Sequence, residues 1–231
     1  MSRTEIRNHP KFQNVFISGP SGKLKLFTKN LIFGKQVYGE RLINFNGVEY
    51  REWDPYRSKL AALILENPIS SFFTENLKCL YLGASSGTTL SHLSDMLKNG
   101  IIFGVEFSER SLRQMIQNTS ERQNVIPILG DARFPESYAK SVFSEIDLIY
   151  QDVAQPRQAE IALANCNYYL KENGLLILAI KSQSIDSVKK SELIYTQERT
   201  ILEKAGYSIL EKINIQKYAG NHIIFIVKKS T

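Results

Sequence analysis

The stretch LGASSGTTLSHLSD, Leu82 to Asp95, sets two glycines and several hydroxyl residues between an apolar segment and an amphipathic one. Gly83 permits a tight exit from a strand. Gly87 lets a ligand lie against bare backbone at a helix N-terminus, where free N–H groups and the helix dipole favour a carboxylate or phosphate. With Ala84 between them, these are the candidate contacts of the loop itself. The dinucleotide fingerprint G-x-G-x-x-G is absent, because Ser85 stands where its second glycine belongs, and no G-K-[ST] follows as in a P-loop. The loop suits something smaller than a pyrophosphate, such as an amino-acid carboxylate.

The following strand ends are also polar. Glu106 lies 19 residues beyond Gly87, where an acidic side chain holds a ribose diol in nucleotide-binding sheets. Asp131, in GDAR, is placed to accept from the exocyclic amine of an adenine. Gln151 and Asp152 lie in YQDVAQP at the end of a fourth strand. Alone, Glu106 or Asp131 reads as a surface or capping carboxylate. In this order at successive strand ends, they read as a pocket for a nucleoside carrying a carboxylate. S-adenosylmethionine has those parts.

Lys181 ends the apolar run LLILAIKS. A lysine there is partly desolvated; burial and neighbouring cations lower its pKa and a carboxylate raises it. Asp152 is the natural carboxylate partner. Lys59, in YRSKLAAL, sits on a helix that can lie over the strand ends, and His222 begins the last strand. The bland readings are a snorkelling edge lysine for Lys181, a solvated helix face for Lys59 and a packing histidine for His222. His92 reads as structural.

These residues need a frame. The first fifty or so residues, with NVFISG, KLKLFTKN and RLINFNGVEYREW separated by GPSG and NG turns, read as short strands. DPYRSKLAALILEN reads as a helix, with Asp54 as N-cap and Pro55 as its first residue. From residue 77 strands and helices alternate, with helices expected to start at Ser108 and Pro156 and to end at Gly206. The last two strands, YSILEKINIQKY and NHIIFIVKK, form a hairpin. The expected fold is α/β: a class I, Rossmann-like, mostly parallel sheet with one antiparallel strand, plus a small β-rich N-terminal domain. The division falls at 1–52 and 53–231.

The totals narrow the function classes. The chain has 231 residues, 43% of them hydrophobic, enough for a sizeable core. It has no apolar run long enough to span a membrane and no signal-type segment at its start. Cys79 and Cys166 read as buried packing residues in a reducing, cytoplasmic protein, and with three histidines they give no zinc spacing, so no metal is expected. Net charge is +6, and all the excess lies in residues 1–59, with 11 Lys/Arg against 5 Asp/Glu. A polyanion partner near the N-terminal side and an ordinary basic surface both fit that bias.

The stretches GASSGTTLSHLSD, GVEFSERSLRQM, NVIPILGDARFPESY, IYQDVAQPRQAEI and AIKSQSID resemble fibrillarin, in its archaeal form without a Gly/Arg-rich extension. The resemblance runs from about residue 14 to 228, and DVAQP followed by QAEI is its most specific part. It implies guide-directed 2′-O-methylation of ribose in rRNA and tRNA. The implied cofactor is S-adenosylmethionine, contacted at Thr88, Thr89, Glu106, Phe107, Asp131, Ala132, Asp152, Val153 and Ala154, with Gln151 beside them. The implied catalytic set is Lys59, Asp152, Lys181 and His222. Lys181 would activate the 2′-oxygen, Asp152 would orient Lys181, and Lys59 and His222 would hold or polarise the target ribose. The implied partners are a Nop-domain scaffold protein, a kink-turn-binding ribosomal-type protein, a box C/D guide RNA and the target RNA. Ser85 and Gln151 depart from the family pattern, which commonly has Ala and an acidic residue there. A methyltransferase with another acceptor and a non-catalytic assembly subunit are the competing readings.

Overall fold

A computed structural model of the chain describes residues 5–229. The N-terminal strands are β1 (Arg7–Asn8), β2 (Val15–Ser18), β3 (Lys25–Lys29), β4 (Leu42–Phe45) and β5 (Val48–Trp53). They form an antiparallel sheet in the order β1-β2-β3-β5-β4. Within RLINFNGVEYREW the expected NG turn joins two strands as a hairpin. Asn46 and Gly47 take φ of 51° and 77°, and Phe45 pairs with Val48, the two-residue loop that an Asn-Gly pair favours.

Helix α1 (Lys59–Leu65) starts later than Asp54 and Pro55 suggested. The Asp54 carboxylate does cap backbone, accepting from Tyr56 N at 2.8 Å, but it closes a turn in which Arg57 N donates to Asp54 O. Ser58 is then extended and serves as the helix N-cap, accepting from Ala61 N.

The remaining elements are β6 (Lys78–Leu82), α2 (Thr88–Met96), β7 (Ile101–Glu106), α3 (Glu109–Thr119), β8 (Val125–Leu129), a 3-10 segment at Pro135–Ser141 and β9 (Ile146–Gln151). They continue as α4 (Gln158–Tyr169), β10 (Leu170–Lys181), α5 (Ser182–Ile185), α6 (Ser191–Lys204), β11 (Tyr207–Asn214) and β12 (His222–Lys229). Ser108 caps α3, and α6 stops before Gly206 at φ +81°, as the sequence indicated. Helix α4 begins at Gln158 rather than Pro156, and the side chain of that first residue folds back onto Gln155 O and both backbone groups of Lys181.

The second sheet has the order β11-β12-β10-β9-β6-β7-β8. Every pair from β10 to β8 is parallel, and β12 runs antiparallel to both its neighbours. The chain leaves central β6 toward β7 and β8, then returns to β9 on the other side. The order therefore reverses between β6 and β9, where ligands bind beyond the strands' carboxyl ends.

Alternate residues of the buried strands supply two cores, one per face. Cys79, Tyr81, Tyr150, Ile177 and Ile224 pack with α1, α2 and N-terminal residues Leu26 and Trp53. Leu80, Leu82, Ile149, Leu178 and Phe225 pack with α4 and α6. Both cysteines are buried and unpaired, and burial pushes their thiols up to about 12. No helix among the described residues is long and apolar enough to cross a membrane.

A buried polar network fixes the N-terminal sheet to α2. Arg51 donates to Glu40 Oε1 at 2.6 Å, to Asp95 Oδ2 at 2.7 Å and to Ser91 Oγ at 2.8 Å. Arg122 meets the other Asp95 oxygen at 2.6 Å. Thr28 Oγ1 gives its one proton to Asp95, so it accepts from His92 Nδ1 at 2.8 Å; His92 Nε2 then accepts from Tyr38. Stacked on Trp53, His92 is structural, and it holds the helix that follows the Gly83–Gly87 loop.

Candidate active site

A cavity of about 270 Å³ opens at the carboxyl ends of β6, β7, β8 and β9. Gly83 and Glu106 form part of its wall, with Phe107, Asp131 and Ala132. Asp152, Val153 and Ala154 close it from β9. Gly83 has no alternative: at φ +82° a Cβ would stand 2.4 Å from Asp152 O, where the β6 and β9 exits cross.

Glu106 is 6% exposed, and its carboxylate is held between two loops. One oxygen accepts Ser85 N at 2.8 Å and the other accepts Ser108 N at 2.9 Å. Each oxygen keeps a second lone pair for a ligand hydroxyl. Asp131 has a partner the sequence did not suggest. Arg133 donates Nε to both carboxylate oxygens, at 3.0 and 2.9 Å, and this bond holds Asp131 below the usual carboxylate range.

Other expected contacts stand behind the wall. Ala84, Gly87, Thr88 and Thr89 do not line the cavity. Gly87, at φ +90°, is the N-cap of α2, and Thr88 is its first residue. Thr89 Oγ1 donates to Ser58 Oγ at 2.9 Å, tying the loop helix to the start of α1, next to Lys59. Gln151 is fully buried, and its Nε2 donates to Gln158 O at 2.7 Å.

Beside the cavity stand the four residues that the sequence grouped as a catalytic set: Lys59, Asp152, Lys181 and His222. Lys59 Nζ meets Asp152 Oδ2 at 2.8 Å, so Asp152 belongs both to the cavity wall and to an ion pair. The sequence reading paired Asp152 with Lys181; Lys59 reaches it instead, from the first residue of α1. Among the described residues the Lys181 ammonium makes no ion pair. Lys181 lies opposite His222 in the β10–β12 register. His222 Nδ1 is 2.6 Å from Gly220 O; a carbonyl only accepts, so Nδ1 carries the proton and Nε2 keeps its lone pair. Burial first, and then the charges of Lys59 and Lys181, hold His222 below its ordinary 6.5 against the Gly220 carbonyl and Asp152. At neutral pH it is an uncharged imidazole. All four groups thus share one electrostatic neighbourhood.

Gln158 escaped the sequence reading. It is fully buried, and its Oε1 accepts Lys181 N at 2.8 Å while Nε2 donates to Lys181 O at 3.1 Å and Gln155 O at 2.9 Å. One amide therefore joins the ends of β9 and β10 through the DVAQP loop. The only sequence signal was a glutamine beginning an otherwise apolar helix face.

No cluster of His, Cys, Asp or Glu among the described residues is arranged to hold a metal. The cavity does fit a nucleoside cofactor: Glu106 has free lone pairs for a diol, and Val105, Phe107, Ala132 and Val153 give apolar walls for a base.

The fibrillarin family model matches residues 6–231. A Methanopyrus kandleri fibrillarin-like rRNA/tRNA 2′-O-methyltransferase is 44% identical over 225 residues, covering 96% of this chain and 97% of the relative. Aeropyrum pernix fibrillarin, in complex with natively bound S-adenosyl-L-methionine, superposes with a TM-score of 0.89 at 40% identity, covering 96% of this chain and 97% of that one. A structure of the fibrillarin/Nop5p complex gives 0.81 at 38% identity, covering 89% and 94%. The chain belongs to the fibrillarin family.

Proposed function

We propose that the protein transfers a methyl group from S-adenosylmethionine to the 2′-hydroxyl of ribose in rRNA and tRNA, as the catalytic subunit of a guide-RNA-directed box C/D particle. The observation that carries this is the Lys59, Asp152, Lys181 and His222 cluster beside the cavity at the strands' carboxyl ends. The relatives' names and the cofactor-bound Aeropyrum structure support it.

The geometry supports one division of labour. Glu106 holds the ribose diol of the cofactor, and Phe107, Ala132 and Val153 enclose its base. The cofactor supplies an electrophilic methyl group when bound. Lys59 and Asp152 neutralise each other, and the ion pair holds Asp152 in place. Lys181 is the cation left to act: its ammonium favours negative charge developing on the 2′-oxygen, in a site where preorganised donors replace water. His222 is neutral at pH 7, and its Nε2 lone pair can take a proton from the hydroxyl. The partners we assign are a Nop-domain scaffold protein, in keeping with the fibrillarin/Nop5p complex, a kink-turn-binding protein and the guide RNA. Two buried, unpaired thiols suit a reducing cytoplasm.

A tritiated methyl-transfer assay tests the proposal. Robust, site-selective transfer requires guide RNA and scaffold, and the protein alone binds cofactor but methylates RNA poorly. Transfer to a protein or small molecule, or cofactor binding with no transfer in the assembled particle, favours a competing reading.

A further inference from the structure

Lys59 reaches Asp152 from a chain that has just left an exposed turn. Tyr56 and Arg57 are exposed, and Ser58 is the first buried residue after Trp53. A lysine ammonium rides on a flexible four-carbon stem, so where it settles depends on how firmly its backbone is held. The Ser58 hydroxyl holds that backbone twice. It accepts Ala61 N at 3.3 Å, which caps α1, and it accepts the Thr89 hydroxyl at 2.9 Å. The first bond is all that a helix start requires. The second fills the oxygen's other lone pair and crosses to α2, 31 residues on.

Thr89 is buried and is the second residue of α2, which follows directly on the Gly83–Gly87 loop. The ties close a circuit around that loop. Asp152 N donates to Leu82 O at 3.0 Å, where the loop begins. Asp152 Oδ2 meets Lys59 at 2.8 Å, Ser58 takes the proton of Thr89, and α2 leads back through the loop to Leu82. Gly83 and Ser85, within the circuit, line the cofactor cavity. Ser58 and Thr89 do not line it. The Asp152 charge and the Thr89 hydroxyl both act on the buried Tyr81 hydroxyl, so the two ties pass the same residue of β6.

Resting on the methyltransferase reading above, we infer that Ser58 is a positioning residue: bonded to Thr89, it fixes the backbone of Lys59 relative to the cofactor loop and so keeps the Lys59–Asp152 pair in register with bound cofactor. Its hydroxyl acts on the reaction only through Lys59.

Thr89→Val tests this with the Ser58 cap intact, because valine keeps the shape of the side chain and removes only the donor. Single-turnover transfer in the assembled particle slows about tenfold, short of the roughly hundredfold that a displacement of about 1 Å costs. Thr89→Ser, which keeps the hydroxyl, transfers like wild type. Calorimetric affinity for S-adenosylmethionine is unchanged in both. Adding Thr89→Val to Lys59→Ala slows transfer no further, whereas a merely structural role would multiply the two losses. A second readout needs no RNA. Burial holds His222 low first, and the Lys59 charge adds to it with Lys181, against the Gly220 carbonyl and Asp152. With Lys59 loosened, the His222 ring titrates at higher pH by NMR of the full chain, in Thr89→Val as in Lys59→Ala, and Thr89→Ser leaves it in place. The inference is overturned if Thr89→Val transfers at the wild-type rate with His222 unmoved, or if its loss persists in the Lys59→Ala background. It is overturned equally if cofactor affinity falls in step with the rate, which would put Thr89 on the cofactor itself. If the wild-type particle transfers no methyl group, the methyltransferase reading falls, and the His222 titration still decides whether Ser58 and Thr89 place Lys59.

Discussion

Replacing Gln158 should disturb Lys181 without touching it. Gln158→Met keeps the length of the side chain and removes three hydrogen bonds, to Lys181 N, Lys181 O and Gln155 O. At about 0.5–1.5 kcal/mol net per bond, the variant should be about 2–4 kcal/mol less stable, read by urea denaturation. Lys181 would lose the clamp on its backbone, and a displacement of about 1 Å at a reacting group costs roughly a hundredfold in rate. Gln158→Glu separates positioning from general damage. Its carboxylate could still accept from Lys181 N, but its second oxygen would face two carbonyls. Burial and those carbonyls raise its pKa above the ordinary value of about 4.3. Protonation restores a donor. With the folded-state pKa raised, the folded protein binds the extra proton first, so the deficit of Gln158→Glu relative to wild type shrinks as pH falls through that pKa. Single-turnover methyl transfer should recover along the same curve. A Gln158→Met protein within 0.5 kcal/mol of wild type and transferring at the normal rate would refute the positioning role.

Three further outcomes follow from the same geometry. Arg51→Met leaves Glu40 and Asp95 buried against fewer partners and should cost about 3–5 kcal/mol in urea denaturation; a loss under about 1 kcal/mol would contradict the network's role. His92 sits well below its ordinary 6.5, through burial first and then Arg51 and Arg122, so the folded state takes up no proton there while the unfolded state titrates near 6.5. Its stability contribution is full above pH 6.5 and falls by about 1 kcal/mol between pH 6.5 and 5.5, a slope that His92→Gln should flatten and that His222 shares in sign. Gly83→Ala forces a Cβ against Asp152 O and should weaken S-adenosylmethionine binding at least tenfold by calorimetry; wild-type affinity would show that the β6–β9 crossing is not what shapes the cavity.

Much of the frame could be read from the chain because local chemistry and tertiary structure agree there. Ser108 caps a helix, Gly206 ends one, and continuous apolar strands carry two opposite core faces. Agreement fails where one residue serves two elements. Asp54 has the chemistry of a helix cap, but Pro55 turns the chain away and Ser58 inherits the role. Gln158 opens α4 while its side chain reaches across to the end of β10, a contact no local pattern announces. Glu106 and Asp152 could be placed from strand ends alone, since the parallel topology brings every carboxyl end to one edge. Which lysine Asp152 meets could not: Lys59 and Lys181 both approach that edge, and Lys59 lies 93 residues from its partner. Likewise, Thr88 and Thr89 come forward as cofactor contacts only through the family resemblance, and nothing local in the sequence shows that the Thr89 hydroxyl donates to Ser58 Oγ, 31 residues away.

Methyl transfer in the fully assembled particle, measured in a single turnover with Lys181→Ala and with cofactor affinity taken on the same preparation, bears most directly on the mechanism. The ammonium is assigned to charge developing on the 2′-oxygen, so the rate should drop at least about 10²–10³-fold while S-adenosylmethionine binds within twofold of wild type. Lys59→Ala should fall less steeply. Near-normal turnover by Lys181→Ala would mean that another group activates the hydroxyl.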